Sequence, residues 1–243
     1  MAHKQNIEIN KTIGAAQSVE AVLSLTRREA GTLNLVNCVT ALGRLAKLAP
    51  DDRQPDAVAV QHVTDRAAQC FRSEQCQTRH VSQALWACAR LRLAPAPLLE
   101  TVFDVAATHL QPAWFKPQEV SMAVWAVGKL AQGSQSHHVD DCSAAASAFV
   151  ARLLPAALSR PAEHSPQGLA NIIGGVAAAG APEDAALVGK LVCSLRGRLA
   201  AFSPQEVANA LHVYVSIYVC VCVCVCVCVC VCMYIYVYIY ICI

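Results

Sequence analysis

The sequence predicts an all-α fold: a right-handed α-solenoid of stacked helix pairs, with about 38–49 residues per unit. Three observations predict it. One motif recurs at intervals of tens of residues, the signature of a repeat architecture. The better copies open with helix-start chemistry. A second apolar-faced stretch follows each of the first four copies.

The fullest copy runs from Phe115 to Leu130 and reads Phe115-Lys116-Pro117-Gln118-Glu119-Val120-Ser121-Met122-Ala123-Val124-Trp125-Ala126-Val127-Gly128-Lys129-Leu130. Phe202 to Leu211 repeats its first part, and His164 to Asn171 is a third copy. Val81 to Leu91 matches its second part, and Leu35 to Leu45 is a weaker fifth. Taking Leu35, Val81, Val120, Leu169 and Val207 as equivalent gives steps of 46, 39, 49 and 38 residues. The longer steps leave room for extra loop, one candidate being the polar stretch from Gln132 to Asp141.

Ser203-Pro204-Gln205-Glu206 is a helix start. The Ser oxygen can accept from a free backbone N–H. Pro at the first helical position gives up a donor that had no partner, and Glu three residues after the Ser completes a capping box. The Lys116 copy keeps Pro117 and Glu119 without the capping oxygen; the Ser165 copy keeps Ser and Pro but has Gly168 in place of Glu. Inside the helix, Val120, Ala123, Val124, Val127 and Leu130 form one stripe, with Met122, Trp125 and Ala126 off it. A helix apolar on more than one face is buried on more than one side. The second helices are expected over Asp56–Phe71, Pro95–Leu110, Cys142–Leu158 and Pro182–Leu199.

Three regions follow. Residues 1–30 read as a polar segment plus a capping helix over Ala15–Ala30, residues 31–212 as the repeat body of about four units plus a truncated fifth, and residues 213–243 as a low-complexity Val-Cys/Tyr-Ile tail. All 19 Lys and Arg and all 17 Asp and Glu precede the tail. An uncharged apolar run of this length could span a membrane, and strict alternation could be a strand. The reading we favour is genetic: GTGTGT encodes Val-Cys and TATATA encodes Tyr-Ile, so a drifting dinucleotide repeat would write the whole tail. On that reading the chain runs off the real protein in the middle of its fifth unit.

The net charge of +2 excludes a strong overall attraction to nucleic acid but allows a local basic stripe. Met1 to Asn10 has neither the apolar run of a secretory signal nor the composition of a transit peptide. The six body cysteines, Cys38, Cys70, Cys76, Cys88, Cys142 and Cys193, form no Cys-x-x-Cys, and the plain reading is reduced, buried thiols of an intracellular protein. His137-His138-Val139-Asp140-Asp141-Cys142 gathers ligand-type residues but reads as a polar loop rather than a metal site. No catalytic set, phosphate loop or cofactor motif stands out, so no enzyme, metal or cofactor is expected.

Two polar columns are the candidate sites. Asn37, Gln83, Met122, Asn171 and Asn209 are equivalent in this alignment, and amides so placed could read base edges or bond one unit to the next. Arg44, Arg90 and Lys129 form the second column, which could track phosphates or simply complement helix C-termini. Trp86 and Trp125 share a position whose other occupants are Thr40, Gly174 and His212; core packing and base stacking are both open to them.

Phe-x-Pro-Gln-Glu-Val-Ala-Asn-Ala-Leu, with the Ala-Val-Trp-Ala-Val-Gly-Lys-Leu of the fuller copy, resembles the octotricopeptide repeat family and the related helical repeats of FAST kinase-like proteins that carry a RAP domain. The resemblance extends over roughly residues 13 to 212, including the entry Ile13 to Glu20. It implies sequence-selective binding of single-stranded RNA in a mitochondrion or chloroplast, in transcript stability, processing or translation. No RAP-like segment follows the repeats. The alternative is a protein-interaction scaffold of the HEAT or armadillo kind, and a membrane partner enters only if the tail spans one.

Overall fold

The computed structural model describes residues 2–50, 54–133 and 140–179, together with Lys190, Cys193, Arg198 and residues 201–203. The elements within them are helical, with no strand among the described residues. The nine longer helices are α1 (Ala2–Ala15), α2 (Val19–Arg28), α3 (Leu35–Leu48), α4 (Ala57–Ser73), α5 (Thr78–Arg90), α6 (Ala96–His109), α7 (Pro117–Gly133), α8 (Asp140–Ser159) and α9 (Pro166–Ala178). Short 3-10 turns at Pro112–Trp114 and Pro161–Glu163 lead into α7 and α9.

The packing is that of a helical solenoid. The odd-numbered helices α1, α3, α5, α7 and α9 lie side by side in one row, and α2, α4, α6 and α8 form a second row behind them. We call these the inner and outer rows. The expected second helices at 56–71, 95–110 and 142–158 appear as α4, α6 and α8, with ends shifted by a residue or two. The one at Pro182–Leu199 falls mostly outside the described residues, as do most of the Gln132–Asp141 insertion and the 213–243 tail.

The first thirty residues differ from the sequence expectation. They form two helices rather than a polar segment and a single cap. α1 packs on α3 and α2 on α4, so together they extend both rows. Ile9 and Ile13, one turn apart, bury this face of α1, while Ile7 is 43% exposed.

Inner helices begin with a repeated device. The residue before the cap is buried at Leu33, Phe115 and His164. Its carbonyl accepts from an arginine of the same unit's outer segment: Arg66 Nε to Leu33 (2.8 Å), Arg160 to Phe115 (3.0 Å) and Arg198 to His164 (2.7 Å). A charge-assisted hydrogen bond of this kind fixes the turn between loop and helix. In the outer row, Arg152 of α8 donates to the Ala106 and Leu110 carbonyls at the end of α6, satisfying groups that a helix C-terminus leaves open.

Capping sets the register. Asn34 and Asn37 form a capping box, Gln77 N–H donates to His80 Nδ1, Lys116 N–H donates to Glu119, and Ser165 accepts from Gly168 N–H. Cap to cap, from Asn34 to Gln77 is 43 residues, from Gln77 to Lys116 is 39 and from Lys116 to Ser165 is 49. The first step is therefore 43, not 46: Cys38, rather than Leu35, is the equivalent of Val81, Val120 and Leu169. The weak first copy had slipped by nearly one helical turn, and its capping hydrogen bonds correct the alignment.

Candidate functional site

A groove of about 1000 Å³ runs across the inner row, lined from α1, α3, α5, α7 and the start of α9. The corrected register explains its walls. The sixth residue after each cap lines it in four successive inner helices: Thr40, Gln83, Met122 and Asn171. The ninth lines it at Gly43, Trp86 and Trp125. Positions six and nine are three apart, so they lie one above the other on the face left uncovered by neighbouring helices.

This places the first amide column with one correction. Gln83 is exposed and Asn171 half-buried, and both face the groove. Asn37 does not. It is buried, its Oδ1 accepts from Asn34 N–H, and its Nδ2 donates to the Asn6 carbonyl at 2.9 Å. It belongs to the capping position shared by His80, Glu119 and Gly168, and it joins α3 to α1. Thr40 takes its place in the column. Asn209 lies outside the described residues.

The cation column also divides. Arg44 lines the groove, half-buried, with Nε donating to the Ala16 carbonyl at 2.7 Å. Arg90 lies in the last turn of α5 and Lys129 one turn before the end of α7, and neither lines the groove. Lys129 is exposed and reaches Gln132. In the corrected register the α3 equivalent of Arg90 and Lys129 is Lys47, thirteen after its cap. Lys47 is exposed and does line the groove, beside Arg44. The sequence reading missed Lys47 because it followed the slipped alignment.

Trp86 and Trp125 are half-buried: each packs on the core and also lines the groove. Gly43 stands at the same position in α3, and a Cβ there would meet nothing within 4 Å, so the wall is open beside the tryptophans. At the far end His164 is buried at 3%, its Nδ1 has no hydrogen-bond partner, and burial, reinforced by Arg160, holds its pKa below the usual imidazole value. The groove thus offers flat aromatic surface, amide and hydroxyl groups at repeat spacing, and two cations at its α3 end.

Among the described cysteines, Cys38, Cys70 and Cys88 are buried and Cys76 is half-buried, whereas Cys193 is exposed. Burial pushes the Cys88 thiol up to about 12, so it is neutral at physiological pH. The His137–His138 loop lies outside the described residues. Among the described residues, no helix is long and apolar enough to cross a membrane. No protein-family model matches the sequence, and no curated protein matches it.

Proposed function

We propose that this chain is a helical-repeat protein that binds single-stranded RNA along its inner groove and acts in organellar RNA metabolism, in transcript stability, processing or translation. The observation that carries this reading is the repetition of Gln83 with Trp86 and of Met122 with Trp125 on successive helices of one groove. A base can stack on an indole whatever its identity, while the Gln83 amide one turn from Trp86 can meet its edge and Met122 offers apolar contact beside Trp125. Arg44 and Lys47 supply phosphate contacts at one end. The likeness to the octotricopeptide repeat motif, and the mitochondrion or chloroplast it implies, points the same way.

The test is filter binding of the full chain to a pool of short single-stranded RNAs at several salt concentrations. Each phosphate contact contributes roughly −0.7 to the slope of log affinity against log salt, so Arg44→Ala with Lys47→Ala removes about 1.4 of it. That loss is uniform across sequences, because phosphate contacts position and base contacts specify. Gln83→Ala and Asn171→Ala instead change the preference among sequences. Arg90→Ala and Lys129→Ala leave both unchanged. Absence of binding at low salt refutes the reading and leaves the groove as a protein-docking scaffold.

A further inference from the structure

We propose a second ligand site outside the groove: the hollow between the starts of α5 and α7 binds a phosphorylated nucleoside, free or at the end of a strand, with the base on Trp114 and the phosphate among Arg72, Arg79 and Lys116. The hollow encloses about 720 Å³ and shares no lining residue with the groove. That volume lies within the range of small-molecule sites.

Trp114 sits on the 3-10 turn before α7 and is 60% exposed, the most exposed large aromatic among the described residues. It contributes little to the core from there, and its open indole face is the surface a base stacks on. Arg72, Arg79 and Lys116 line the same hollow and are all exposed. Among the described residues, no carboxylate lies within 4.0 Å of their charged nitrogens.

Two acids share the hollow, and three of their four oxygens are already engaged. Glu74 accepts from the Leu35 N–H at 3.1 and 3.2 Å, capping α3. Glu119 Oε2 accepts from the Lys116 N–H and the Thr78 hydroxyl, both at 2.9 Å, which ties the start of α7 to that of α5. Their charge offsets part of the field without supplying a partner to any of the three cations. The starts of α5 and α7 add the positive ends of their dipoles. Arg79 Nε donates to His80 Nε2 at 3.4 Å, and among the described residues no carboxylate holds any of the three. An aromatic face beside such guanidinium and ammonium groups matches the two halves of a nucleotide, because Arg and Lys donate well to phosphate oxygens.

Equilibrium dialysis of the full chain against labelled adenosine 5′-monophosphate at low salt tests this. Wild type retains the nucleotide. Trp114→Ala weakens retention by about tenfold, as expected for one lost stacking contact. Arg72→Glu with Lys116→Glu weakens it at least as much, and unphosphorylated adenosine competes poorly. Gln83→Ala, in the groove, leaves it unchanged, so the result stands whether or not the groove binds RNA. Competition by a 5′-phosphorylated hexanucleotide, and not by its 5′-hydroxyl form, assigns the site to strand ends; competition by free nucleotides alone assigns it to mononucleotides. No retention by folded wild type, or retention unaltered in folded variants at both positions, overturns the proposal.

Discussion

The inner and outer rows solve the same packing problem with different side chains. From α3 to α9 adjacent inner helices pack more closely than adjacent outer ones, and small residues permit it: Ala41, Ala84, Ala87, Ala123 and Ala126 are fully buried. At the α7–α9 contact the backbones nearly touch through Gly128 and Gly175. The outer row uses bulk instead. Phe103 of α6 and Phe149 of α8 meet with ring centroids 5.6 Å apart, and Phe115, before α7, joins them at 6.1 Å. Close backbone approach tolerates few residues and one register, whereas large side chains can interdigitate in several ways. Hence the inner helices repeat visibly and the outer ones do not.

The largest effect should come from the closest approach. A Cβ at Gly175 would lie 2.3 Å from the Val124 carbonyl oxygen and 2.9 Å from Trp125 N, where only backbone could move. Gly175→Ala should cost about 3 kcal/mol in urea denaturation. Its neighbour Gly174 has nothing within 4 Å of such a Cβ, so Gly174→Ala should be neutral or gain up to about 1 kcal/mol from helix propensity. On the outer row Val58 is 73% exposed, and Val58→Ala should stay within about 0.5 kcal/mol. A harmless Gly175→Ala would break the comparison.

Next in size is a pair that sharpens the register. Asn37→Ala should cost about 1–2 kcal/mol, because a buried cap is lost, and leave RNA preference alone. Thr40→Ala should do the reverse, with stability nearly unchanged and preference altered. The opposite pattern would restore Asn37 to the groove column.

A smaller gain is expected at the end of α5. Leu93 N–H donates to Cys88 O and Arg92 N–H to Ala89 O, a Schellman ending that puts Arg92 at φ 53°. A side chain in that left-handed conformation costs about 1 kcal/mol, so Arg92→Gly should raise the unfolding free energy in urea denaturation by about that amount. A loss would mean that the Arg92 side chain makes up the difference.

The gentlest perturbation is pH. Burial is the first cause holding His62, His80 and His164 below their usual pKa, with Arg27, Arg79 and Arg160 reinforcing it in turn. The unfolded chain then binds more protons just below pH 6.5, so stability is full above that pH and falls as pH drops through it. The urea midpoint should be lower at pH 5.5 than at pH 7.5; a flat profile would mean these imidazoles titrate alike in both states.

The sequence made the solenoid legible because inner helices carry apolar residues on two faces and open with Pro-Gln-Glu or Ser-Pro. It hid α1, whose exposed positions include Lys4, Gln5 and Lys11 and whose burial rests on Ile9 and Ile13. It misplaced the first unit because Leu35 and Cys38, one turn apart, are both buried, and only the capping hydrogen bonds choose between them. That slip put Asn37 in the groove column and left Thr40 and Lys47 out. The hollow beside Trp114 could not be read from spacing at all, since Arg72, Arg79 and Lys116 meet there only after α5 and α7 stack.

The central claim is that RNA lies along the inner groove, and photocrosslinking locates the strand directly. The full chain would be irradiated with short single-stranded RNAs carrying 4-thiouridine, and the adducts mapped by mass spectrometry after proteolysis. The account predicts adducts on the α5 and α7 peptides that contain Gln83 to Trp86 and Met122 to Trp125, lost on competition with unmodified RNA. Adducts confined to the outer helices α4, α6 and α8, or none under conditions where filter binding detects a complex, would contradict it.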